Sequence, residues 1–147
     1  MFADLLKRLT APSPAPLAED DARMALSALL VRLARSDGNY AAVEMEEIEK
    51  VLAARYDLDE GEAQDLRREA EVMEELAPDT VRFTRAIKEA VAYEDRLAVV
   101  EAAWSVVMAD GDRAREEDAL MRLIASLLGV NDRDSNIARR RAQGLAG

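Results

Sequence analysis

The sequence predicts an all-α protein, a single compact bundle of about seven to eight helices. Half of its 147 residues are hydrophobic but only 4% are aromatic, so the core must be built from aliphatic side chains and methionine. Six glycines and four prolines leave little turn chemistry for a many-stranded sheet. Apolar residues also recur at helical spacing along most of the chain. A chain of this length can form one core without disulfides.

The absence of cysteine and histidine narrows the chemistry that this chain can perform. It excludes zinc sites built on thiolate or imidazole, cysteine nucleophiles and a Ser-His-Asp triad. A metal site would have oxygen ligands only, which favours a divalent cation such as Ca²⁺, Mg²⁺ or Mn²⁺. No organic cofactor is expected. The lack of disulfides is compatible with the cytosol, and we expect a cytoplasmic protein.

The formal net charge of −10 argues against a nucleic acid as partner, because an acidic surface repels phosphate backbones. The longest apolar run, within residues 97–109, is too short and too interrupted to span a bilayer. The first nine residues lack the long apolar region and cleavage site of a signal peptide. The charge and apolar patterns therefore predict a soluble chain without a transmembrane segment.

The chain divides into an arm with a linker, residues 1–17, and a helical domain, residues 18–147. Phe2, Leu5, Leu6 and Leu9 have the spacing of one helix face, which predicts a short amphipathic helix over residues 2–9. Three prolines in residues 10–17 predict an extended linker. The arm either docks against the body or makes a peripheral contact with a membrane or a partner.

In the helical domain, turn and capping signals predict where helices begin and end. The second helix should run from about Ala42 to Tyr56, and Asp59 with Glu62 forms a capping-box pattern for the next one. That helix is expected to bury Leu76 near its end. Pro78 fits the first turn of a further helix, whose apolar face is expected to include Val81. The sequence also predicts a helix break near residues 93–95 with Asp95 as cap, and one continuous helix over 78–108 is the alternative. A later helix should end at Gly129, and the last helix should begin at Asp132 or Asp134.

An acidic turn occurs twice with the same spacing. Ser36-Asp37-Gly38 and Ala109-Asp110-Gly111 each end an apolar helix, and each is followed by a glutamate seven positions past the aspartate, Glu44 and Glu117. Both pairs are 73 positions apart (110 − 37 and 117 − 44). Apolar positions match at the same offset, so the sequence predicts two duplicated helix–turn–helix units related by an approximate two-fold axis.

The two glutamates stand apart from the other acidic residues by position. Glu44 precedes Ile48 by four, and Glu117 precedes Met121 by four, so each begins a buried helical stripe. By contrast, Glu46, Glu49 and Glu116 fall off this stripe and are expected to be solvated. A carboxylate pointing inward needs a partner, because burial of an unpaired charge costs several kcal/mol.

Two interpretations of these carboxylates remain open. In the first, they accept hydrogen bonds from free backbone N–H groups at the turn and the helix start. In the second, they chelate a hard divalent cation together with the aspartates of the turns. The candidate metal ligands are Asp37, Glu44, Asp110, Asp112 and Glu117. Neither turn has the residue order or the length of an EF-hand loop. A hydrolase with carboxylate-bound metal ions is a third alternative, supported only by the clustered carboxylates.

Two stretches carry a family resemblance: 29–52, LLVRLARSDGNYAAVEMEEIEKVL, and 103–128, AWSVVMADGDRAREEDALMRLIASLL. They resemble the TerB-like family, the tellurite-resistance protein B type, also found as the N-terminal module of DjlA-like co-chaperones. The resemblance covers most of residues 20–138.

This resemblance implies an all-helical bundle with a divalent-metal site at Asp37, Glu44, Asp110 and Glu117. It also implies a non-enzymatic role in tellurite or general stress responses, exerted through protein partners.

Overall fold

The computed structural model describes residues 19–35, 40–77, 79–108 and 115–142, with the backbone alone for 19–20 and 115–118. Within those ranges the chain forms seven helices and no strand: α1 (Glu19–Ala34), α2 (Ala42–Tyr56), α3 (Glu60–Leu76), α4 (Thr80–Ala90), α5 (Tyr93–Val107), α6 (Arg115–Leu127) and α7 (Asp132–Ala142). The prediction of an all-α bundle is confirmed. The arm and linker of residues 1–17 lie outside the described residues.

Side-chain caps define where two of the helices begin. Asp59 caps α3, accepting a hydrogen bond from the N–H of Glu62, whose carboxylate accepts one from the N–H of Asp59. The predicted capping box is therefore confirmed. Asp79 caps α4 by accepting from the N–H of Arg82 at 3.0 Å. Helix α4 accordingly starts at Thr80, and Pro78 precedes its cap instead of lying in its first turn.

The predicted break before α5 is present, but three residues earlier than expected. Helix α4 ends at Ala90 and α5 begins at Tyr93, so one continuous helix over 78–108 is ruled out. The cap residue is Ala92, whose carbonyl accepts from the N–H of Asp95 at 3.1 Å. Asp95 lies in the first turn, where a carboxylate favours the positive end of the helix dipole.

Two helices, α1 and α5, form the centre of the bundle. Helix α1 packs chiefly on α3, α5 packs chiefly on α7, and the two central helices contact each other. Their buried side chains are almost all aliphatic, and Trp104 on α5 is buried with them. Ser27 is a buried polar residue on α1, and its hydroxyl donates to the carbonyl of Arg23 at 2.7 Å. Burial on nearly every side explains why neither helix shows a polar face.

The two halves of the bundle repeat the same local geometry. Helices α2 and α6 both end in a left-handed residue, Asp57 with φ 54° and Gly129 with φ 75°. The following N–H groups, those of Leu58 and Val130, donate five residues back to Ala53 and Ala125. This is the hydrogen bond of a Schellman helix end. The two duplicated units are therefore present in the fold, with a one-residue slip after α2.

Two expected core residues are exposed instead. The buried stripe of α3 continues from Met73 to Ala77, four residues on, so Leu76 points outward and is 59% exposed. Val81 is 51% exposed because it precedes the buried Phe83 by two residues, about 200° around the helix. Both errors arise where a helix starts or ends, because a few residues cannot define a face.

Candidate metal centre at the duplicated helix junctions

The two acidic turns lie between α1 and α2 and between α5 and α6. Helix α1 ends at Ala34 and α5 at Val107, while α2 begins at Ala42 and α6 at Arg115. Both ends and both starts are 73 positions apart, the offset found in the sequence. Each predicted glutamate is therefore the third residue of its helix.

Glu44 is the predicted ligand whose side chain the structure describes. The backbone of Glu117 lies in the first turn of α6, and its side chain is outside the described part of the chain. Asp37, Asp110 and Asp112 also lie outside the described residues.

Glu44 points inward, as the sequence predicts, and only 1% of it is exposed. It begins the stripe that Ile48 and Leu52 continue, both of them buried. Its Oε1 accepts a hydrogen bond from the N–H of Ala41 at 3.1 Å. This is one half of a capping box, because an alanine at the cap position has no side-chain acceptor to reciprocate. The carboxylate thus satisfies a backbone donor that the helix start would otherwise leave unpaired.

A carboxylate in this position can act as an acceptor for N–H groups or as a hard oxygen ligand for a cation. Among the side chains of residues 21–35, 40–77, 79–108 and 119–142, no three acidic groups are arranged so that they could hold a metal ion. In the first half, the capping hydrogen bond from the N–H of Ala41 is one defined interaction of the Glu44 carboxylate.

A hydrogen-bonded charge cluster joins the start of α2 to α3. Arg67 on α3 donates through Nε to Glu49 on α2 and through Nη1 to Glu71, both at 2.6 Å. Tyr40, just before α2, donates its hydroxyl to the same oxygen of Glu71 at 2.8 Å. These four residues form the Arg67 cluster. Both ion pairs are largely shielded from water, and the pair of Arg67 with Glu49 therefore holds α2 and α3 together more firmly than an exposed pair would.

The same cluster perturbs two pKa values. Burial and the hydrogen bond to Glu71 raise the pKa of the Tyr40 hydroxyl well above its ordinary value, because a phenolate would face a carboxylate. Burial of Arg67 opposes its charge, but the hydrogen bonds to Glu49 and Glu71 outweigh burial and raise its pKa further. Arg67 therefore remains charged, and Tyr40 remains protonated over the physiological range.

A second set of contacts fixes the end of α1. Arg35 donates through Nη1 to Glu74 Oε1 at 2.7 Å, and Arg32 donates through Nε to Glu74 Oε2 at 3.1 Å. The Arg35 guanidinium also lies 5.2 Å from the ring centroid of Tyr40. The last turn of α1 and the residue preceding α2 are thus both held against α3.

The sequence analysis did not identify the Arg67 cluster or the contacts of Glu74; it predicted only the apolar stripes of the helices that carry them. Glu46 and Glu49 were both expected to be solvated; Glu46 is exposed, whereas Glu49 is bound by Arg67. The available signal was the four-residue spacing of Arg67 and Glu71 on one helix face. The bonds of Arg67 to Glu49 and of Tyr40 to Glu71 join separate elements, which no spacing rule identifies.

In the second half, a separate set of polar contacts involves the start of α5. Tyr93, the first residue of α5, donates a hydrogen bond to Asp134 on α7. That bond raises the pKa of the Tyr93 hydroxyl. Arg96 donates to the carbonyls of Val91 and Leu128. A Cβ added at Gly129 would meet Arg96 Nη1 at 2.9 Å, so this turn is packed closely as well as left-handed.

Fold and junction geometry together define a class: an all-helical bundle made of two helix–turn–helix units, each with a glutamate at the third position of its second helix. The family model of the tellurite resistance protein TerB matches residues 23–140, and the chain belongs to this family. The resemblance seen in the sequence is thereby confirmed. TerB proteins are tellurite-resistance-type modules and are generally non-enzymatic.

Comparisons with curated proteins and with solved structures found no match. In the described part of the chain, no helix has both the length and the apolar character needed to cross a bilayer.

Replacing Glu44 with alanine should lower the free energy of unfolding by about 2–3 kcal/mol, since the variant loses a cap and leaves space in the core. Urea unfolding at neutral pH measures this loss. Glu46→Ala is the matched control, because Glu46 is exposed on the same helix, and it should change stability by less than about 0.5 kcal/mol. Equal stability of Glu44→Ala and wild type would show that the buried carboxylate is not stabilising.

Tyr40→Phe should cost about 1–2 kcal/mol at neutral pH, because it removes a hydrogen bond to a charged group. The pKa of Tyr40 is higher in the folded protein than its ordinary value of 10.0, so its stabilisation is complete below pH 10 and falls as pH rises above it. The stability difference between wild type and variant should therefore stay constant up to about pH 9 and shrink as the pH rises above about 10.

Chemical unfolding at several pH values tests this expectation. Tyr93 is present in both proteins, so its own alkaline titration cancels in the difference. A difference that stays constant up to the highest pH would contradict the assignment.

Proposed function

We propose that this TerB-family chain is a non-enzymatic stress-response module that binds a divalent cation at its Asp-Gly…Glu turns and acts through protein partners. Glu44 carries this proposal: it is a buried carboxylate at the third position of α2, the helix that follows the first acidic turn in the sequence. The spacing along the chain predicts that Asp37 and Glu44 are the cation ligands at the first turn, and that Asp110, Asp112 and Glu117 are the ligands at the second.

The chemistry of the residues favours a hard cation over other ligands. Without cysteine or histidine, only oxygen atoms are offered, and these suit Ca²⁺, Mg²⁺ or Mn²⁺. The net charge of −10 concentrates cations near the protein surface. A bound cation would also offset the cost of keeping Glu44 ionised in the core. The repeated helix start supports the same role for Glu117 in the second half.

A purely structural role is the second candidate, and one observation favours it. Glu44 Oε1 already accepts from the N–H of Ala41, which is how a capping carboxylate works. A bundle of this kind would present protein-binding surfaces and bind no metal. Glu44 stabilises the fold in both candidate roles, so only the effect of an added cation on thermal stability distinguishes them.

An exposed apolar face supports the protein-interaction part of the proposal. Val72 and Leu76 lie one turn apart on α3, with 50% and 59% of their surfaces exposed, and Val81 follows at the start of α4. We call these three residues the α3–α4 face. Val72 and Leu76 are neighbours on the helix surface because they are four residues apart, and exposed aliphatic neighbours are typical of protein-binding sites.

Adding Ca²⁺ or Mn²⁺ should stabilise the protein against thermal unfolding. At a cation concentration 100 times the dissociation constant, the gain should be roughly 2.7 kcal/mol. Asp37→Ala and Asp110→Ala should each reduce that gain, because each removes a predicted ligand. Glu46→Ala is the control, since it removes an exposed carboxylate from the same region. An undiminished gain in both aspartate variants, or no gain in wild type, would refute cation binding.

Replacing both Val72 and Leu76 with aspartate should abolish capture of protein partners from a lysate of the native cells, while the far-UV circular dichroism stays unchanged. Leu123→Asp is the control, since it places a charge at another exposed aliphatic position, on α6. Capture of the same partners by wild type and by the double variant would exclude the α3–α4 face as the binding surface.

A further inference from the structure

The second half of the bundle contains a cavity of about 380 Å³ beside α7. It is lined by Trp104, Arg122, Ala125, Asp132, Ser135, Asn136 and Arg139. Trp104 comes from the central helix α5, and its indole N–H lies 3.4 Å from the Ser135 hydroxyl. Two arginines, one amide and one hydroxyl therefore surround a space large enough for a small molecule or a side chain of another protein.

Arg139 is held in place without an anionic partner among the described residues. Its guanidinium lies over the Trp104 ring, with 5.7 Å between the Cζ atom and the ring centroid. Its Nε is buried and has no hydrogen-bond acceptor in the described part of the chain. A buried donor without an acceptor costs about 1–3 kcal/mol, and more when the group is charged. A ligand that supplies a hydrogen-bond acceptor to Arg139 would therefore remove this cost.

The internal repeat shows what this acceptor should be. After the one-residue slip, Arg139 corresponds to Arg67, 72 positions earlier, and Arg122 corresponds to Glu49, 73 positions earlier. In the first half, this pair of positions forms an ion pair at 2.6 Å. In the second half, both positions are arginine. The cavity therefore keeps the cation of the pair and replaces its internal carboxylate with a second cation.

The other carboxylate of the Arg67 cluster is also missing from the second half. The position that corresponds to Glu71 is Gln143 in the sequence. No carboxylate lies within ion-pair distance of Arg122 or Arg139 in the described ranges. Asp132 lines the cavity, so two cations face one anion there.

We propose that this cavity binds a carboxylate group, which takes the place that Glu49 occupies beside Arg67 in the first half. The planar fork of a guanidinium matches the two oxygens of a carboxylate. Asn136 and Ser135 add neutral polar groups, and Trp104 offers an apolar surface to the rest of the ligand. The Asp132 carboxylate disfavours a phosphate, which places up to two charges on one group, more than a carboxylate group with its single charge. The carboxylate belongs either to a small organic acid or to an acidic side chain of a partner protein.

Trp104 is a built-in reporter, since it is the single tryptophan of the chain and lines the cavity. The purified full-length chain is titrated with succinate, with a short glutamate-rich peptide and with inorganic phosphate, and tryptophan fluorescence is recorded. We expect a saturable change with succinate or with the peptide. Saturation by succinate identifies a small acid as the source of the carboxylate, and saturation by the peptide alone identifies a protein side chain.

Three variants separate the site from general charge effects. Arg139→Gln should weaken binding about tenfold or more, because it removes a charged hydrogen-bond donor. Arg122→Glu recreates the ion pair of the first half and should abolish binding while the melting temperature is maintained or raised. Arg140→Gln removes the same charge from an exposed position outside the cavity lining, and it should bind as wild type does.

The absence of a saturable response to both carboxylate probes in the folded wild-type protein would overturn the proposal. Equal weakening by Arg140→Gln and Arg139→Gln would overturn it too, because only the net charge would then matter. Phosphate binding as tight as carboxylate binding would replace the carboxylate assignment with a general anion site. The cation titration addresses the acidic turns independently, so either result can fail alone.

Discussion

The fold depends on the burial of two central helices, α1 and α5, against each other and against the outer helices of their own halves. Each is apolar on nearly every side, so neither is stable without the rest of the bundle. In the sequence, each is followed by an acidic turn and then by a helix whose third residue is a glutamate. The packing of the central helices therefore positions the helix starts that carry Glu44 and Glu117. Glu44 is buried because the stripe of Ile48 and Leu52 continues through it, and its hydrogen bond to Ala41 compensates part of the cost.

Around this shared plan, the two halves have diverged in their polar contacts. In the first half, the Arg67 cluster and the pairs of Glu74 with Arg32 and Arg35 use oppositely charged groups from within the chain. In the second half, Arg122 and Arg139 line one cavity with Asp132, and neither arginine forms an ion pair within the described ranges. The duplication makes this difference informative, because the two halves place different side chains at corresponding positions of the same helical unit. The first half uses its charges for stability, and the second leaves them available to a ligand.

These features agree with the general character of the TerB family, to which the chain belongs and which is generally non-enzymatic. The acidic turns of the sequence, the exposed α3–α4 face and the arginine cavity are the features to which the proposals assign binding. A cation at the turns and a carboxylate in the cavity carry opposite charges. The high net negative charge would favour the first ligand and select against weakly held anions at the second.

The sequence by itself determined the helical class, the two-fold repeat, the capping box at Asp59 and Glu62, and the inward direction of Glu44. All four depend on short-range spacing, which the geometry of a helix converts directly into position. Helix ends were less predictable, as shown by the start of α4 at Thr80 and the cap at Ala92. The exposure of Leu76 and Val81 was also not predicted, because it depends on how the chain leaves one helix and packs the next. Only the tertiary structure decided which charges meet, as Tyr40, Glu49 and Arg67 do, because their partners lie on separate elements. It also decided that Arg122 and Arg139 face one cavity, since this requires α5, α6 and α7 to come together.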